Sequence, residues 1–324
     1  MKSTISFTKT RIAKGYLQML AILILLPTIA INAQFPKIPD GWSDAYAYVN
    51  GIRVHYYHAR PAQGKPVMVM VHGVTDIGLN WTTLTLKLQN SYDIYMLDAR
   101  GHGLSDPFTP SDNGETLIKD VVDFVRIMKF EKPILMGHSM GAATVMRVGA
   151  EYPDLARAII MLDPFVGNRP PRAVSQGSDT ARNPTTIAPS RPPRMFKSPD
   201  TLVAQNNTKF EDLVATGHRQ NPKWDSVDVY YWAFSKKQYH GPYTPEQGQA
   251  MTGTMSTADA LAKIKVPALI LKADASPEAR KANEEAARVM QKGKLVHIDG
   301  AAHNLHHDKL AKTVEVLNDF LKTL

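Results

Sequence analysis

Apolar residues recur along this chain in two alternating rhythms. Short, predominantly apolar runs occupy 67–71, 92–97, 133–136, 158–162, 267–271 and 294–298. Continuous apolar runs of this length fit strands buried on both faces. Ahead of them, 46–49 and 52–56 flank Asn50-Gly51, a dipeptide that suits a two-residue type I′ turn, so this stretch predicts a β-hairpin. The second rhythm is helical. Residues 117, 118, 121, 122, 124, 125, 127 and 128 form an apolar stripe over 116–128. Helices are also expected over 81–88, from 140 to about 152, over 279–290 and over 308–321. Strands alternating with helices predict an α/β fold, a mostly parallel sheet of eight strands covered on both faces.

The alternation stops after 162 and resumes at 267. Residues 167–257 read as an insertion over the carboxyl edge of the sheet, between core segments 34–166 and 258–324. Its first part, 167–199, holds seven prolines and six basic residues against one acid, Asp179. Such a stretch cannot build a core, and it reads as a solvated lid or as a hint of negatively charged substrates. The second part carries Trp224, Tyr230, Tyr231, Trp232, Phe234, Tyr239 and Tyr243. These aromatics predict a small helical cap, and a pocket beneath it would favour an apolar or aromatic substrate group. There is no internal repeat.

Composition adds a compartment. Lys2, Lys9, Arg11 and Lys14 precede the apolar stretch 19–26, a break at Pro27-Thr28 and the small residue Ala33. This is the layout of a secretory signal peptide over 1–33, and it predicts a secreted or periplasmic protein. An uncleaved anchor is the competing reading, but the apolar run is shorter than the ~20 residues a bilayer span needs. The formal charge of +8 falls to +4 without the four leader cations, which gives no case for nucleic acid or a membrane surface as partner. The chain has no cysteine, which excludes disulfides and thiolate metal sites.

The chemistry centres on Gly137-His138-Ser139-Met140-Gly141, placed between an apolar run and a small-residue helix start. A strand, a G-x-S-x-G turn and a helix together form a nucleophile elbow, which lifts a serine hydroxyl clear of the sheet edge. A serine needs a base, and the base needs an acid to hold its tautomer. His303, in Gly300-Ala301-Ala302-His303 after the last apolar run, is placed to reach back to Ser139. His72, His102 and His138 belong to glycine turns and are expected to brace loops. His303, His306 and His307 could be imagined as metal ligands, but no upstream carboxylate pair completes such a site, so neither a metal nor a cofactor is expected.

His72-Gly73, Asp98-x-Arg100-Gly101-His102-Gly103-x-Ser105-Asp106, the elbow and Gly300-x-x-His303 together resemble the α/β-hydrolase superfamily. The likeness covers nearly all of the chain outside the leader and the insertion. It implies an oxyanion hole made by the N–H groups of Val74 and Met140. Trp81, Phe165 and Trp232 are candidates to contact substrate, with core packing as the other reading of Trp81. The acid stays open. The commonest family position falls on Ser276, with Asp274 two residues early, while Asp163 ends the strand after the elbow helix, where some members carry the acid. Buried there, Asp163 would need a cationic or hydrogen-bonding partner. Relatives that open epoxides or remove halide resemble this chain but carry Asp at the elbow. A serine implies an acyl-enzyme, hence hydrolysis of a carboxylic ester or lactone. Carbon–carbon bond hydrolysis, perhydrolysis and a non-catalytic binding role are the alternatives.

Overall fold

In the computed structural model the described residues are 36–61, 63–166, 198–244, 247–248, 250–251 and 253–324. The expected leader and nearly all of the proline-rich stretch lie outside them. No described helix is long and apolar enough to cross a membrane.

The first hairpin pairs β1 (Ser43–Val49) with β2 (Ile52–His58). Asn50 and Gly51 both take positive φ, 44° and 79°, as a type I′ turn requires. β3 (Val67–Val71), β4 (Asp93–Leu97), β5 (Ile134–His138), β6 (Ala158–Leu162), β7 (Ala268–Lys272) and β8 (Gly293–His297) follow. The sheet runs β1-β2-β4-β3-β5-β6-β7-β8, antiparallel at β1, β2 and β4 and parallel from β4 onwards.

Strand periodicity divides the core into two layers, because alternate side chains leave opposite faces. Val69, Val71, Leu135, Ile159, Met161 and Ile270 join one buried cluster. Against it pack α2 (Thr116–Ile127), α3 (Met140–Glu151) and α7 (Thr257–Lys263). Met68, Met70, Met136, Ile160 and Leu269 face the other way, toward the 3-10 turn Gly78–Trp81, α1 (Thr82–Leu88) and α10 (Leu310–Leu321). Each such fully buried side chain contributes about 1.5–3 kcal/mol relative to exposure.

The insertion contributes α4 (Pro199–Asn207), α5 (Phe210–Gln220) and α6 (Ser226–Gln238). Tyr231 and Phe234 of α6 join the same cluster as Trp81 and Leu84, so this helix shares the core of the sheet domain. α7 has no counterpart in the apolar pattern, because about two turns with two buried residues, Ala260 and Leu261, are too short to show a period. α8 (Pro277–Ala287) starts two residues earlier than expected, capped by the Ser276 side chain, which accepts from the Ala279 N–H. The last helix is preceded by a separate short one, α9 (Leu305–Asp308).

Candidate active site

β5 runs into Ser139, whose backbone sits at φ 50° and ψ −108°, and α3 begins at the next residue. That conformation is rare for a side-chain-bearing residue and stores strain. The corner holds because its neighbours are bare. A Cβ on Gly137 would overlap the Gly141 carbonyl, and one on Gly141 would overlap the Val71 carbonyl at the tip of β3. The Ser139 N–H donates to Leu162 O at 2.9 Å and the Gly141 N–H to His72 O at 3.1 Å, which fastens the elbow to both neighbouring strands.

His303 meets this serine across 164 residues of sequence. Its Nε2 lies 2.9 Å from Ser139 Oγ and its Nδ1 lies 2.6 Å from Asp163 Oδ2. With Nδ1–H donated to the carboxylate, Nε2 is left bare to accept the serine proton. The loop carrying His303 is held from three sides. His138 Nε2–H donates to His303 O at 2.9 Å, the Ala302 N–H donates to Asp308 Oδ2 at 2.9 Å, and the Gly300 N–H donates to Asp274 Oδ2 at 2.8 Å.

Of the two candidate acids, Asp163 is the one in contact with His303. It turns out of β6 at φ 44°. Lys272 Nζ sits 2.5 Å from its Oδ1 and also donates to Pro164 O at 2.8 Å, while the Ala273 N–H donates to the same carboxylate at 3.1 Å. Burial pushes the Asp163 carboxyl up, but the His303 hydrogen bond and the Lys272 charge outweigh it and bring it to about 2. Asp274 is occupied elsewhere, with Arg280, the Gly300 N–H and the Ala275 N–H. Arg280 above all, then Gly300, hold that carboxyl at about 2.

Met140 opens α3, so its N–H has no carbonyl one turn back to bond. Neither it nor the Val74 N–H has a hydrogen-bond acceptor among the described residues. Next to Val74, Thr75 takes φ 68°, and Lys236 of α6 donates to its carbonyl and hydroxyl oxygens at 3.0 and 2.7 Å.

A cavity of about 490 Å³ opens over the serine, lined by Ser139, Asp163 and His303 and walled in part by Met140, Phe165 and Met251. Phe165, 54 % exposed, lines this cavity. Trp81 and Trp232 require correction. Trp81 is 1 % exposed and packs its ring 4.8 Å from His306, beneath the elbow in the core. Trp232, on α6, does not line this cavity, and its ring lies between Lys236, with Nζ 5.1 Å over it, and Gly217 of α5.

His72, His102 and the Asp98 motif brace loops. His72 donates to Gly73 O and accepts from the Ala99 N–H, while His102 donates to Arg100 O. Asp98 ties Gly78, Leu104 and His55 together, and Arg100 is paired with Asp112 and Asp120. Among the described residues no cluster of histidine and carboxylate groups could hold a metal ion.

With this geometry in view, the comparisons with known proteins fall into place. The sequence model of the family described as serine aminopeptidase, S33, matches residues 62–310. Epoxide hydrolase 1 of Caenorhabditis elegans is 23 % identical over 301 residues, covering 88 % of this chain and 72 % of the relative. The 2-(acetamidomethylene)succinate hydrolase of Mesorhizobium japonicum is 32 % identical, but only over 98 residues, 30 % of this chain and 35 % of the relative. The crystal structure of an E-2-(acetamidomethylene)succinate hydrolase superposes with a TM-score of 0.66 at 18 % identity, over 87 % of this chain and 99 % of that one.

Proposed function

Because the chain belongs to the serine aminopeptidase S33 family of α/β-hydrolases, we propose that it is an enzyme cleaving carboxylic esters, lactones included, through an acyl-enzyme on Ser139. The observation that carries this reading is the continuous Ser139–His303–Asp163 relay, with contacts of 2.9 and 2.6 Å, below an open cavity.

The steps follow from that geometry. Ser139 Oγ attacks the ester carbonyl carbon as its proton passes to His303 Nε2, and Asp163 stabilises the imidazolium. The tetrahedral oxyanion accepts from the Val74 and Met140 N–H groups. His303 returns the proton to the leaving alcohol, and the acyl-enzyme remains. Water then adds with His303 as base, releasing the carboxylic acid and restoring Ser139. A serine attacking an epoxide would form an ether that water could not cleave by this route. The reaction of the epoxide-hydrolase relative therefore does not transfer to this chain. Met140, Phe165 and Met251 offer the substrate an apolar wall, and the resemblance of residues 1–33 to a secretory signal peptide supports action outside the cytoplasm.

A fluorophosphonate probe tests the reading. It is expected to label wild-type protein at Ser139, located by peptide mass, and to leave Ser139→Ala unlabelled and inactive toward p-nitrophenyl esters. A folded Ser139→Ala protein with undiminished esterase activity would overturn the assignment.

A further inference from the structure

Arg147 lines the same cavity, and the hydrolysis itself gives it no task. It lies eight residues after Ser139, so Met140, Ala143 and Arg147 share the stripe of α3 that faces the cavity. Only 7 % of the residue is exposed. Its Nε and Nη2 donate to Met255 O at 3.1 and 2.9 Å, and Nη1 donates to Ala143 O at 2.9 Å. These acceptors are neutral carbonyls. Among the described residues no carboxylate comes within ion-pair distance of the guanidinium, and Glu151, one turn further along the same helix, acts on it through its charge alone.

A buried guanidinium without a counter-ion is unusual, since charges taken from water are ordinarily paired. Three of its five N–H groups are used, which leaves one on each Nη. The other cation of the cavity, Lys272, is committed to Asp163 and Pro164. That carboxylate is in turn shared between Lys272 and His303. Among the described residues that line the cavity, Arg147 is therefore the cation left to meet an incoming anion.

Its position sets a length. Nη1 rests on the carbonyl of Ala143, four residues beyond Ser139, which is ~6 Å along the helix axis. Two or three methylenes between two carboxyl carbons span roughly 4–5 Å, and a charge-assisted hydrogen bond adds the remaining reach. From this we infer that the acyl half of the substrate carries a carboxylate bound by Arg147, so that the enzyme acts on half-esters of short dicarboxylic acids. The inference rests on the esterase reading and narrows it. The two bonds to Met255 fix the guanidinium in advance, so little side-chain entropy is lost on binding.

The test compares monomethyl succinate and monomethyl glutarate with their dimethyl esters, for wild type, Arg147→Gln and Arg147→Lys. Wild type is expected to favour the half-esters in kcat/KM. Arg147→Gln should cut that preference by about 10- to 100-fold, mainly through KM for the half-ester, and Arg147→Lys should retain part of it. If Arg147 only staples Met255 to the elbow helix, both ester classes decline together and the ratio stays put, which overturns the inference. Equal use of both classes by wild type overturns it too, and that measurement stands even if the variants do not fold. A protein that hydrolyses no ester and resists the fluorophosphonate fails the underlying reading instead.

Discussion

Lys236 donates to both oxygens of Thr75, at 3.0 Å to the carbonyl and 2.7 Å to the hydroxyl. A helix from the insertion thereby holds the turn whose Val74 N–H faces no acceptor among the described residues. Thr75 is β-branched and sits at φ 68°, a conformation that costs on the order of 1–3 kcal/mol and persists only under restraint. Lys236→Met should release that restraint and disorder one oxyanion donor. Complete loss of such a donor costs about 10²–10³ in kcat, so a fall of about 10- to 100-fold is expected, with KM changed less. Steady-state kinetics on a p-nitrophenyl ester, beside a thermal melt, would check it. An unchanged kcat in a folded variant would mean the turn is held by other means.

The two candidate acids make a sharp pair of substitutions. Asp163→Asn keeps the shape of the side chain but cannot hold the His303 tautomer or stabilise its charge, so kcat should fall by about 10³–10⁴. Asp274→Asn weakens only the anchoring of Gly300 and the Arg280 pair at the surface, and should stay within about tenfold of wild type. Parallel kinetics decide the matter. A larger loss from Asp274→Asn than from Asp163→Asn would reverse the roles drawn from the geometry.

Much of the fold was legible because strand burial leaves a mark on sequence. Each apolar run from 67 to 298 became a strand within a residue or two, and the positive-φ requirement of the first hairpin was readable as Asn50-Gly51. Ser139 and His303 were readable for the same kind of reason, since strain demands glycines at fixed offsets. The supports were not legible. Lys272 and Lys236 act through contacts spanning 108 to 161 residues, as between Lys272 and Pro164 or Lys236 and Thr75, and a lone charged residue carries no periodic signal. Between Asp163 and Asp274, both near strand ends, it is the contact of the former with His303, with Lys272 beside it, that discriminates in space. Trp81 misled because an aromatic after a His-Gly turn has the same appearance whether it faces the cavity or the layer beneath.

His138 supplies a third test. It bonds the His303 carbonyl, while its other ring nitrogen is buried without a hydrogen bond, 3.9 Å from Asp76 Oδ2. His138→Phe keeps the ring volume and removes the donor. The imidazole of His303 should then lose its fixed distance to Ser139, giving about a tenfold lower kcat, a net hydrogen-bond's worth, with KM nearly constant. A change confined to KM would show that His138 shapes the cavity rather than positioning the base.

Acid should unfold this protein from a higher pH than its carboxylates alone would dictate. Burial lowers His72, His102 and His306 below the ordinary histidine value, and burial followed by the His303 charge takes His138 to about 4. The folded form keeps these rings neutral while the unfolded chain takes up protons below about 6.5, so their contribution is whole above 6.5 and drains away as pH falls toward 4. His138 alone accounts for on the order of 3 kcal/mol across that window. His55 opposes the trend, because Asp98 and Asp44 outweigh its burial and raise it, so its share is present below 6.5 and lost as pH rises past its folded value. Asp163 acts lower down, stabilising above 3.8 and losing its effect toward about 2. Urea titrations at pH 8, 6.5, 5 and 4 should therefore show a midpoint that falls steeply between 6.5 and 4, with more than one proton taken up on unfolding. His138→Phe should flatten part of that slope. A midpoint constant from 6.5 to 4 would mean that these rings are not kept neutral by the fold.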